Sequence, residues 1–407
     1  MIKNFIHRLL RHRHPWREIT FNELSEIYMT MVLRSLALSM TGIFVPIYMY
    51  RIDYSVPAIL SVFAFYFSFR VVLDFAAAFT SARIGPKHTL VIGQMLQIAS
   101  SALFLTLPQH NWPMFLLGGV WGAAASFFFI PFHIDFSKIR HKKNAGKEIG
   151  FEQIMEKVGF VLGPVVGGVV ATLLGSQYIF LVSIVLLIGG LWPLFQTREP
   201  VRIRQKLDFR YFPVHHITKH MPSYIGLNVE NTLCLMMWPL FLGMFVISDS
   251  GVFAKVGIIS SISVAISLLS THAVGRTADN DKGRSLLRFA ASTNAVLHLL
   301  RPFVTLYPVA FGVNVVNEAV TVGYRLPYTK GHYDTADDFP GYRIVYITTL
   351  EVLGCIAKAT TWWILVLFSQ LETGKPLFYV AFAIAAVSSL LIMTEKFDSL
   401  NPRKKAS

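Results

Sequence analysis

Residues Gly159–Gly168 read GFVLGPVVGG and lie within a long apolar run of the sequence. Four glycines and Pro164 occur in this short stretch. In water, an interior glycine costs a helix about 1 kcal/mol and an interior proline about 3 kcal/mol. In a bilayer, glycines four residues apart let two helices approach closely, and a neighbouring helix can satisfy the carbonyl group that proline leaves unbonded. The stretch therefore indicates a tightly packed membrane-spanning helix.

The composition of the chain indicates a membrane protein. Of its 407 residues, 54% are hydrophobic and only 15% are charged, and the mean hydropathy is +0.52. Soluble proteins carry about 25% charged residues. Segments of about 20 apolar residues, which are long enough to cross a bilayer, recur along the sequence. We predict twelve membrane spans, near residues 25–50, 55–80, 88–107, 113–136, 150–174, 177–196, 222–247, 253–275, 285–306, 309–328, 342–369 and 376–394.

The positive charges predict the orientation of these spans. If both termini are cytoplasmic, most of the 37 Lys and Arg residues fall in cytoplasmic segments, and the outer loops hold only Arg51, Lys255 and Lys375. This bias follows the positive-inside rule. It accounts for the net charge of +14 without a nucleic-acid partner. We therefore expect a multi-pass protein of the plasma membrane or of a bacterial inner membrane.

The longest polar interruption of the apolar segments divides the spans into two groups of six. Near the amino terminus, Phe5 and Leu9 share one face with other apolar side chains among basic residues, as in helices that lie on an anionic membrane surface. We predict a basic amphipathic segment at 1–20, a six-helix bundle at 21–196, a cytoplasmic connector at 197–221, a second six-helix bundle at 222–396 and a basic tail at 397–407.

The two groups of spans contain corresponding residues. The matches are separated by about half the chain, at offsets of 196, 195 and 195, and pair Pro131 with Pro327, Glu156 with Glu351 and Gly159 with Gly354. Each match is weak alone, but the shared spacing indicates a duplicated bundle. A pair of repeated six-helix bundles is an architecture of secondary transporters.

Two loops and the opening stretch carry a family resemblance. The loop after the eighth span, GRTADNDKGR, resembles the signature loop of the major facilitator superfamily at Gly275, Asp279, Gly283 and Arg284. The equivalent loop after the second span keeps Arg83 and Gly85 but has Ala82 where the family has an acid. GFVLGPVVGG resembles the fifth-helix pattern that this family associates mainly with antiporters. The resemblance covers the whole chain and implies an all-α fold of two six-helix bundles, with these loops as cytoplasmic gates.

We predict that the glycine-rich stretch lies between the two bundles. Its small residues would form a seam at Gly159, Gly163, Pro164, Gly167 and Gly168. The seam can be a static packing contact, or it can be a surface along which the bundles move during alternating access. Both interpretations place this helix at the bundle interface.

Ionisable residues inside the spans are the candidates for a transport site. A charge at mid-bilayer costs at least about 2.5–3.5 kcal/mol and usually faces a partner or a watery cavity. Glu318 is the first candidate for a transported proton, because Asn314 and Thr321 lie on the same face of its span. Further candidates are the acids Glu230 and Glu351, and the possible countercharges or anion anchors Lys358 and Arg34.

Some of these charges can instead be structural. Arg70 and Asp74 are one helical turn apart in the second span and can pair with each other. Glu351 and Lys358, two turns apart in the eleventh span, can help to hold the bundles together. Arg301 lies near the outer end of the ninth span, from where its side chain can extend to the membrane surface. For the pairs, the structural and functional interpretations both stay open.

The sequence favours a carrier over an enzyme. It contains no GxxxxGK[ST] phosphate loop, no GxSxG elbow and no HExxH motif. We expect a proton-coupled secondary active transporter that works by alternating access, with efflux favoured by the fifth-span pattern. Uptake of a nutrient or organic anion stays open, because Gly118 stands where drug antiporters of the family have an Arg. A transport-inactive protein of the same fold is a third alternative.

These interpretations define the expected partners. We predict a small-molecule substrate, a proton or another coupling ion and a surrounding lipid bilayer. We expect no cofactor and no metal site, and we expect the chain to be a monomer.

Overall fold

The structure is a computed structural model. It describes residues 23–139, 145–195, 218–247, 249, 251–279, 283–337, 343–397 and 400. The predicted amphipathic segment at 1–20, most of the predicted connector and nearly all of the predicted basic tail lie outside these ranges. No strand occurs among the described residues.

Twelve long helices occur within the described ranges, one at each predicted span. They are α1 (Glu23–Gly42), α2 (Val56–Ile84), α3 (Pro86–Leu105), α4 (Met114–Ile139), α5 (Ala145–Leu173), α6 (Tyr178–Leu194), α7 (Met221–Phe241), α8 (Val252–Asp279), α9 (Gly283–Leu300), α10 (Tyr307–Asp337), α11 (Arg343–Leu371) and α12 (Lys375–Ile392). A short helix, Val45–Arg51, continues α1, and a π-helical turn, Leu242–Val246, continues α7. We refer to α1–α6 as the N-terminal half and to α7–α12 as the C-terminal half.

Within the described residues, nine helices are long and apolar enough to cross a membrane. Helix α6 is apolar but has only 17 residues. Helices α9 and α10 are less apolar, because they bury polar side chains such as Asn294, His298 and Asn317 against other helices. Their lower hydropathy therefore reflects a surface that faces protein. The count of twelve membrane spans stays a prediction.

A single residue connects α2 to α3. Helix α2 ends at Ile84 and α3 begins at Pro86, so Gly85 alone forms the turn, with a φ of 98°. Glycine adopts this conformation without the strain that a side chain causes, and proline is well suited to the first turn of a helix. Arg83 is exposed beside the turn. The predicted gating residues Arg83 and Gly85 therefore lie at the end of the helices that is predicted to face the cytoplasm.

Three glycines of α5 pack within their own half. A Cβ atom on Gly159 would lie 2.6 Å from the backbone nitrogen of Leu36 in α1, and one on Gly163 would lie 2.8 Å from the oxygen of Leu36. A Cβ atom on Gly167 would lie 2.6 Å from the oxygen of Met40, also in α1. The prediction that these glycines lie between the bundles is therefore wrong. Because these residues have no side chain, the backbones of α1 and α5 can approach closely.

The rest of the stretch reaches the C-terminal half. A Cβ atom on Gly168 would lie 2.7 Å from a backbone oxygen of α8, and Pro164 lies against Gly257 of the same helix. Between these two contacts, the Val165 amide donates a hydrogen bond to Ser261 Oγ at 3.1 Å. The contact of α5 with the other half therefore depends on Pro164 and Gly168.

Arg51 joins the two halves at the predicted outer face. Its Nη2 donates to the main-chain oxygens of Ile247 at 3.4 Å and of Asp249 at 3.0 Å. Ile47, one turn earlier, packs against Gly243, where a Cβ atom would lie 3.3 Å from the isoleucine side chain. These contacts close the space between the short helix after α1 and the end of α7. We name them the outer closure.

The substitution Gly163→Ala tests the close packing of α1 and α5. The new Cβ atom would lie 2.8 Å from Leu36 O and 2.9 Å from Met40 N. The helices must therefore separate, at the cost of about 1–3 kcal/mol that is typical of overpacked sites. We expect a lower thermal unfolding midpoint in detergent.

Gly312→Ala is the matched control, because a Cβ atom on Gly312 of α10 would meet no atom within 4 Å. We expect its midpoint to equal or exceed that of the unmodified protein, since alanine favours helix over glycine. Equal losses in the two variants would contradict the packing described for Gly163.

Candidate functional site

A cavity of about 250 Å³ lies in the C-terminal half. It lies between α7, α10 and α11, toward the ends of these helices that are predicted to face the cytoplasm. Its volume is slightly below the range of about 300–1,000 Å³ that is usual for ligand pockets. Apart from Leu227, its lining side chains are polar or charged, and they include Glu230, Glu351, Arg325, Tyr224, Tyr324 and Tyr328.

Arg70 is shared between two carboxylates, one from each half. Its Nη2 lies 3.5 Å from Asp74 Oδ2, one turn further along α2, as the sequence predicts. The same nitrogen lies 3.4 Å from Glu351 Oε2 on α11. The hydroxyl group of Tyr224 donates to the other oxygen of Glu351 at 3.1 Å. Glu351 therefore lines the cavity and also forms an ion pair between the halves.

Lys358 contacts side chains of α7 and α2 and does not contact Glu351. Its Nζ donates to Asn228 Oδ1 on α7 at 2.9 Å and lies 4.9 Å from the centre of the Phe67 ring on α2. Along α11, Lys358 is separated from Glu351 by about 10 Å, at about 1.5 Å per residue. Within the described residues, the alternative of a Glu351–Lys358 pair is therefore wrong, because each of the two charges has other partners on α2 and α7.

Cys355 lies beside the charges that Arg70 joins. Its Sγ is 3.5 Å from Asp74 Oδ2. One oxygen each of Asp74 and Glu351 and this sulfur lie within 4.8 Å of one another, which is close enough for a metal ion. However, the Arg70 guanidinium contacts both carboxylates and compensates one of their two negative charges. We therefore assign this group of residues to ion pairing.

Glu230 of α7 is buried among hydrogen-bond donors from α9 and α10. Its Oε1 accepts a bond from Asn294 Nδ2 at 2.8 Å and lies 3.0 Å from His298 Nε2. Its Oε2 accepts a bond from the Tyr324 hydroxyl group at 2.9 Å. Asn317 Nδ2 donates to Asn294 Oδ1 at 2.6 Å and so fixes the orientation of that amide. Glu230 is thus held in one position by three neighbouring side chains.

Arg301 extends this network toward the predicted outer face. The expectation that its side chain reaches the membrane surface is wrong, because the side chain is fully buried. Its Nη1 lies 3.1 Å from His298 Nδ1 and 3.2 Å from Cys234 Sγ. The guanidinium also lies 4.9 Å from the centre of the Trp238 ring. The cation therefore has protein partners on α7 and α9.

Glu318, the first candidate from the sequence, is half-buried on α10. Arg325 and Lys157 are close enough to interact with it electrostatically. Among the described residues, Glu318 makes no hydrogen bond and no ion pair. Asn314 has other partners: its Oδ1 accepts a bond from Trp238 Nε1 at 3.0 Å, and its Nδ2 donates to a serine of α8 at 3.0 Å. The predicted polar face of α10 therefore has two parts: Asn314 is hydrogen-bonded to α7 and α8, and Glu318 lies near Arg325 and Lys157.

Arg34 is buried inside the N-terminal half. Its Nη1 donates to Gln94 Oε1 on α3 at 2.7 Å, and its guanidinium lies 3.7 Å from the centre of the Phe128 ring on α4. Its Nε and Nη2 have no hydrogen-bond partner in the part of the chain that the structure describes. Arg34 does not line the cavity of the C-terminal half.

The predicted gating loop after α8 is described in part. Gly283 begins α9, and Arg284 Nε pairs with Glu395 Oε1 just beyond α12 at 2.7 Å. Arg284 therefore ties α9 to the end of α12. Gly275 and Asp279 belong to the last turns of α8, and the Asp279 side chain lies outside the description.

The sequence-based search missed His298, Asn294 and Tyr324. Asn294 and His298 of α9 and Arg301, directly after its last residue, recur at intervals of four and three residues, so they lie along one face. This alignment was the feature of the sequence from which a buried polar site could have been predicted. Three polar side chains in line within a membrane span require buried partners, which here are Glu230 and Tyr324.

Comparisons with known proteins agree with the helical architecture. The D-xylose-proton symporter has 14% identity and a TM-score of 0.72, with 94% of this chain and 99% of that chain covered. The nucleoside transporter NupG has 14% identity and a TM-score of 0.67, with 91% and 98% covered. A POT family transporter in complex with a thioalcohol-conjugated peptide has 11% identity and a TM-score of 0.71, with 91% and 95% covered. No curated protein sequence matches the chain.

At these identities, the solved structures show the fold alone. The family follows from a separate comparison, in which the family model described as Major Facilitator Superfamily matches residues 27–405. The match spans all twelve long helices apart from the first residues of α1. This chain is thus a multi-pass integral membrane protein that belongs to the Major Facilitator Superfamily.

Proposed function

We propose that this protein is a secondary active carrier that moves a small polar solute by alternating access, coupled to protons. The observation that carries the proposal is the double role of Glu351, which lines the cavity and pairs with Arg70 of the other half. A solute that binds Glu351 competes with Arg70 for its carboxylate. Occupancy of the cavity then changes the contact between the halves, and such a differential interaction is what a ligand needs to shift a conformational equilibrium.

The lining of the cavity supports a polar solute over an apolar drug-like compound. Three tyrosine hydroxyl groups and the side chains of Asn228, Asn231 and Arg325 border the cavity. A solute with hydroxyl, amide or charged groups can form further hydrogen bonds with these side chains, which an apolar occupant cannot. The volume of about 250 Å³ corresponds to about eight water molecules of the liquid. A metabolite with several hydroxyl, amide or charged groups fits both constraints.

The arrangement of the halves supports alternating access. The outer closure joins them at the predicted outer face. The cavity lies toward the opposite face, since its lining includes Tyr224 near the start of α7 and Tyr328 and His332 near the end of α10. This combination corresponds to a carrier that is closed to the outside and accessible from the cytoplasm.

Transport by purified protein in liposomes tests the proposal. The solutes to test are D-xylose, a nucleoside, a small peptide and 5-aminolevulinic acid, because structures of this fold include a xylose symporter, a nucleoside transporter and transporters with bound peptide or 5-aminolevulinic acid. We expect at least one to equilibrate faster than in protein-free liposomes and to change the internal pH. The sign of the pH gradient that accelerates entry distinguishes uptake from efflux. Absence of transport and binding for the whole set would favour the transport-inactive alternative.

Arg51→Ala should open the outer closure. The substitution removes two hydrogen bonds between the halves, both from the exposed Arg51 guanidinium. An Ile47→Cys reporter, whose position is buried in the outer closure, should then react faster with a membrane-impermeant maleimide added from outside. Protein without the reporter gives the background from Cys234 and Cys355.

Lys375→Ala is the matched control for this experiment. Lys375 is another cation of the predicted outer face, and its Nζ lies 5.9 Å from the centre of the Phe245 ring in its own half. We expect no change in the labelling of Ile47→Cys. If Arg51→Ala also leaves the labelling rate unchanged, Arg51 does not hold the halves together.

A double-mutant cycle tests the sharing of Arg70. In Asp74→Asn or Glu351→Gln, Arg70 keeps one carboxylate partner. In the double variant, the buried cation has no compensating charge, which costs about 3–5 kcal/mol. We therefore expect each single variant to lower the thermal unfolding midpoint slightly, and the double variant to lower it by far more than the sum of the two single effects. Additive losses would show that Arg70 is not shared.

A further inference from the structure

We propose that Glu230 is the carboxyl group that binds and releases the coupled proton, and that His298 and Arg301 hold its ionised form. The inference rests on the proposed function, because it assigns the coupling site of that carrier. It differs from the expectation from the sequence, which places Glu318 first. Its basis is the geometry of the buried chain of side chains from the cavity to Arg301.

The hydrogen-bond partners determine the state of His298. Arginine is only a donor, so His298 Nδ1, at 3.1 Å from Arg301 Nη1, must accept. The imidazole is therefore neutral and carries its proton on Nε2, which donates to Glu230 Oε1 at 3.0 Å. Asn294 Nδ2 lies 3.2 Å from the same nitrogen, but it is only a donor and its hydrogen bond goes to Glu230 Oε1 at 2.8 Å. In this arrangement Glu230 is ionised and Arg301 is its countercharge, with His298 between them. The three groups have zero net charge and each hydrogen bond has one donor and one acceptor.

Tyr324 connects Glu230 to the cavity. Both residues border the cavity, and the Tyr324 hydroxyl group donates to Glu230 Oε2 at 2.9 Å. The same hydroxyl group lies 3.3 Å from Thr321 Oγ1, which also borders the cavity. A proton from the cavity can therefore add to the Tyr324 oxygen while the tyrosine gives its own proton to Glu230. The balance is one proton moved from the cavity to the carboxylate, which changes the net charge of the group from zero to +1.

Titratable and charged groups on the neighbouring helices influence the titration of Glu230. Cys234 lies one turn from Glu230 on α7 and contacts Arg301. On α10, Glu318 interacts electrostatically with Glu230 and Arg301. On α11, Glu351 borders the same cavity, whereas the one charged residue of α12 is Lys375 at its outer end. On α9, the charged residues besides His298 are Arg284 and Arg288, in the first two turns.

Glu230 is better suited to the role than the other two acids. Glu351 is compensated directly by Arg70 and contributes to the contact between the halves. Glu318 makes no hydrogen bond among the described residues that would orient it. Glu230 combines fixed donors, a buried countercharge and a hydroxyl group that leads to the cavity. Protonation of this carboxylate removes the countercharge of Arg301, so its titration changes the charge balance of the buried group.

Infrared difference spectroscopy tests the inference with the proton alone as probe. The full-length protein in lipid nanodiscs is titrated with acid, and the carboxylic acid band is recorded. We expect one titrating carboxyl signal to be lost in Glu230→Gln and kept in Glu318→Gln and Glu351→Gln. If Glu230→Gln does not yield folded protein, Glu230→Asp replaces it, and the signal should then shift in frequency or midpoint. An unchanged spectrum in the Glu230 variant overturns the proposal.

His298→Gln separates the role of the histidine from that of the acid. A glutamine amide can donate to Glu230 and accept from Arg301, but it cannot titrate. We expect His298→Gln to keep the carboxyl signal, and His298→Leu, which removes both bonds, to alter it. Loss of all titration in folded His298→Gln protein would assign the proton to the histidine and overturn the proposal.

Liposome assays then separate this proposal from the proposed function. For any solute that the unmodified protein transports, Glu230→Gln should abolish acceleration by a pH gradient while exchange of labelled for unlabelled solute continues. Retained acceleration overturns the assignment of Glu230. If no solute is transported, the proposed function fails, yet the infrared titration still decides whether Glu230 binds a proton.

Discussion

A charge in the interior of a membrane needs a partner, and this constraint determines which helices of the protein touch. Desolvation makes an uncompensated buried ion cost several kcal/mol. Arg70 accordingly contacts Asp74 on its own helix and Glu351 on the opposite half. Glu230 and Arg301, on different elements, are linked through His298. Pairing of these buried charges therefore also joins helices and fixes the relative position of those helices.

The close packing within each half has a different origin. Gly159 allows α5 to approach α1, and Gly354, its counterpart 195 residues later, allows α11 to approach Tyr224 and Asn228 of α7. Helix α7 corresponds to α1 in the duplicated pattern. Glycine contacts therefore bring helices together within each half, and Gly168 and Gly257 do the same between the halves, where the contact at Arg70 is ionic instead.

The fold could be predicted well from the sequence, because hydropathy and the positive-inside bias depend on local composition. Every predicted span coincides with a helix. The partners of individual side chains were harder to predict, since helical spacing gives the face of a residue but not the helix it meets. Gly159, Gly163 and Gly167 are predicted between the bundles but face α1, and Glu351 contacts Arg70 and not Lys358, its partner in one of the two alternatives. His298 was missed because its alignment with Asn294 and Arg301 indicates a polar face but not which acid, here one 68 residues away, that face meets.

The outer closure depends on main-chain oxygens, and this has a consequence for its response to substitution. Arg51 donates hydrogen bonds to the main-chain carbonyl groups of residues 247 and 249. The carboxylate of Asp249 pairs with Lys255 instead, and the hydrogen bond from Lys255 lowers the pKa of Asp249. Exchange of the side chains at 247 and 249 therefore leaves these hydrogen bonds in place, whereas loss of the Arg51 guanidinium removes them. The acceptors also do not titrate, so acidification of the outer medium leaves these bonds intact.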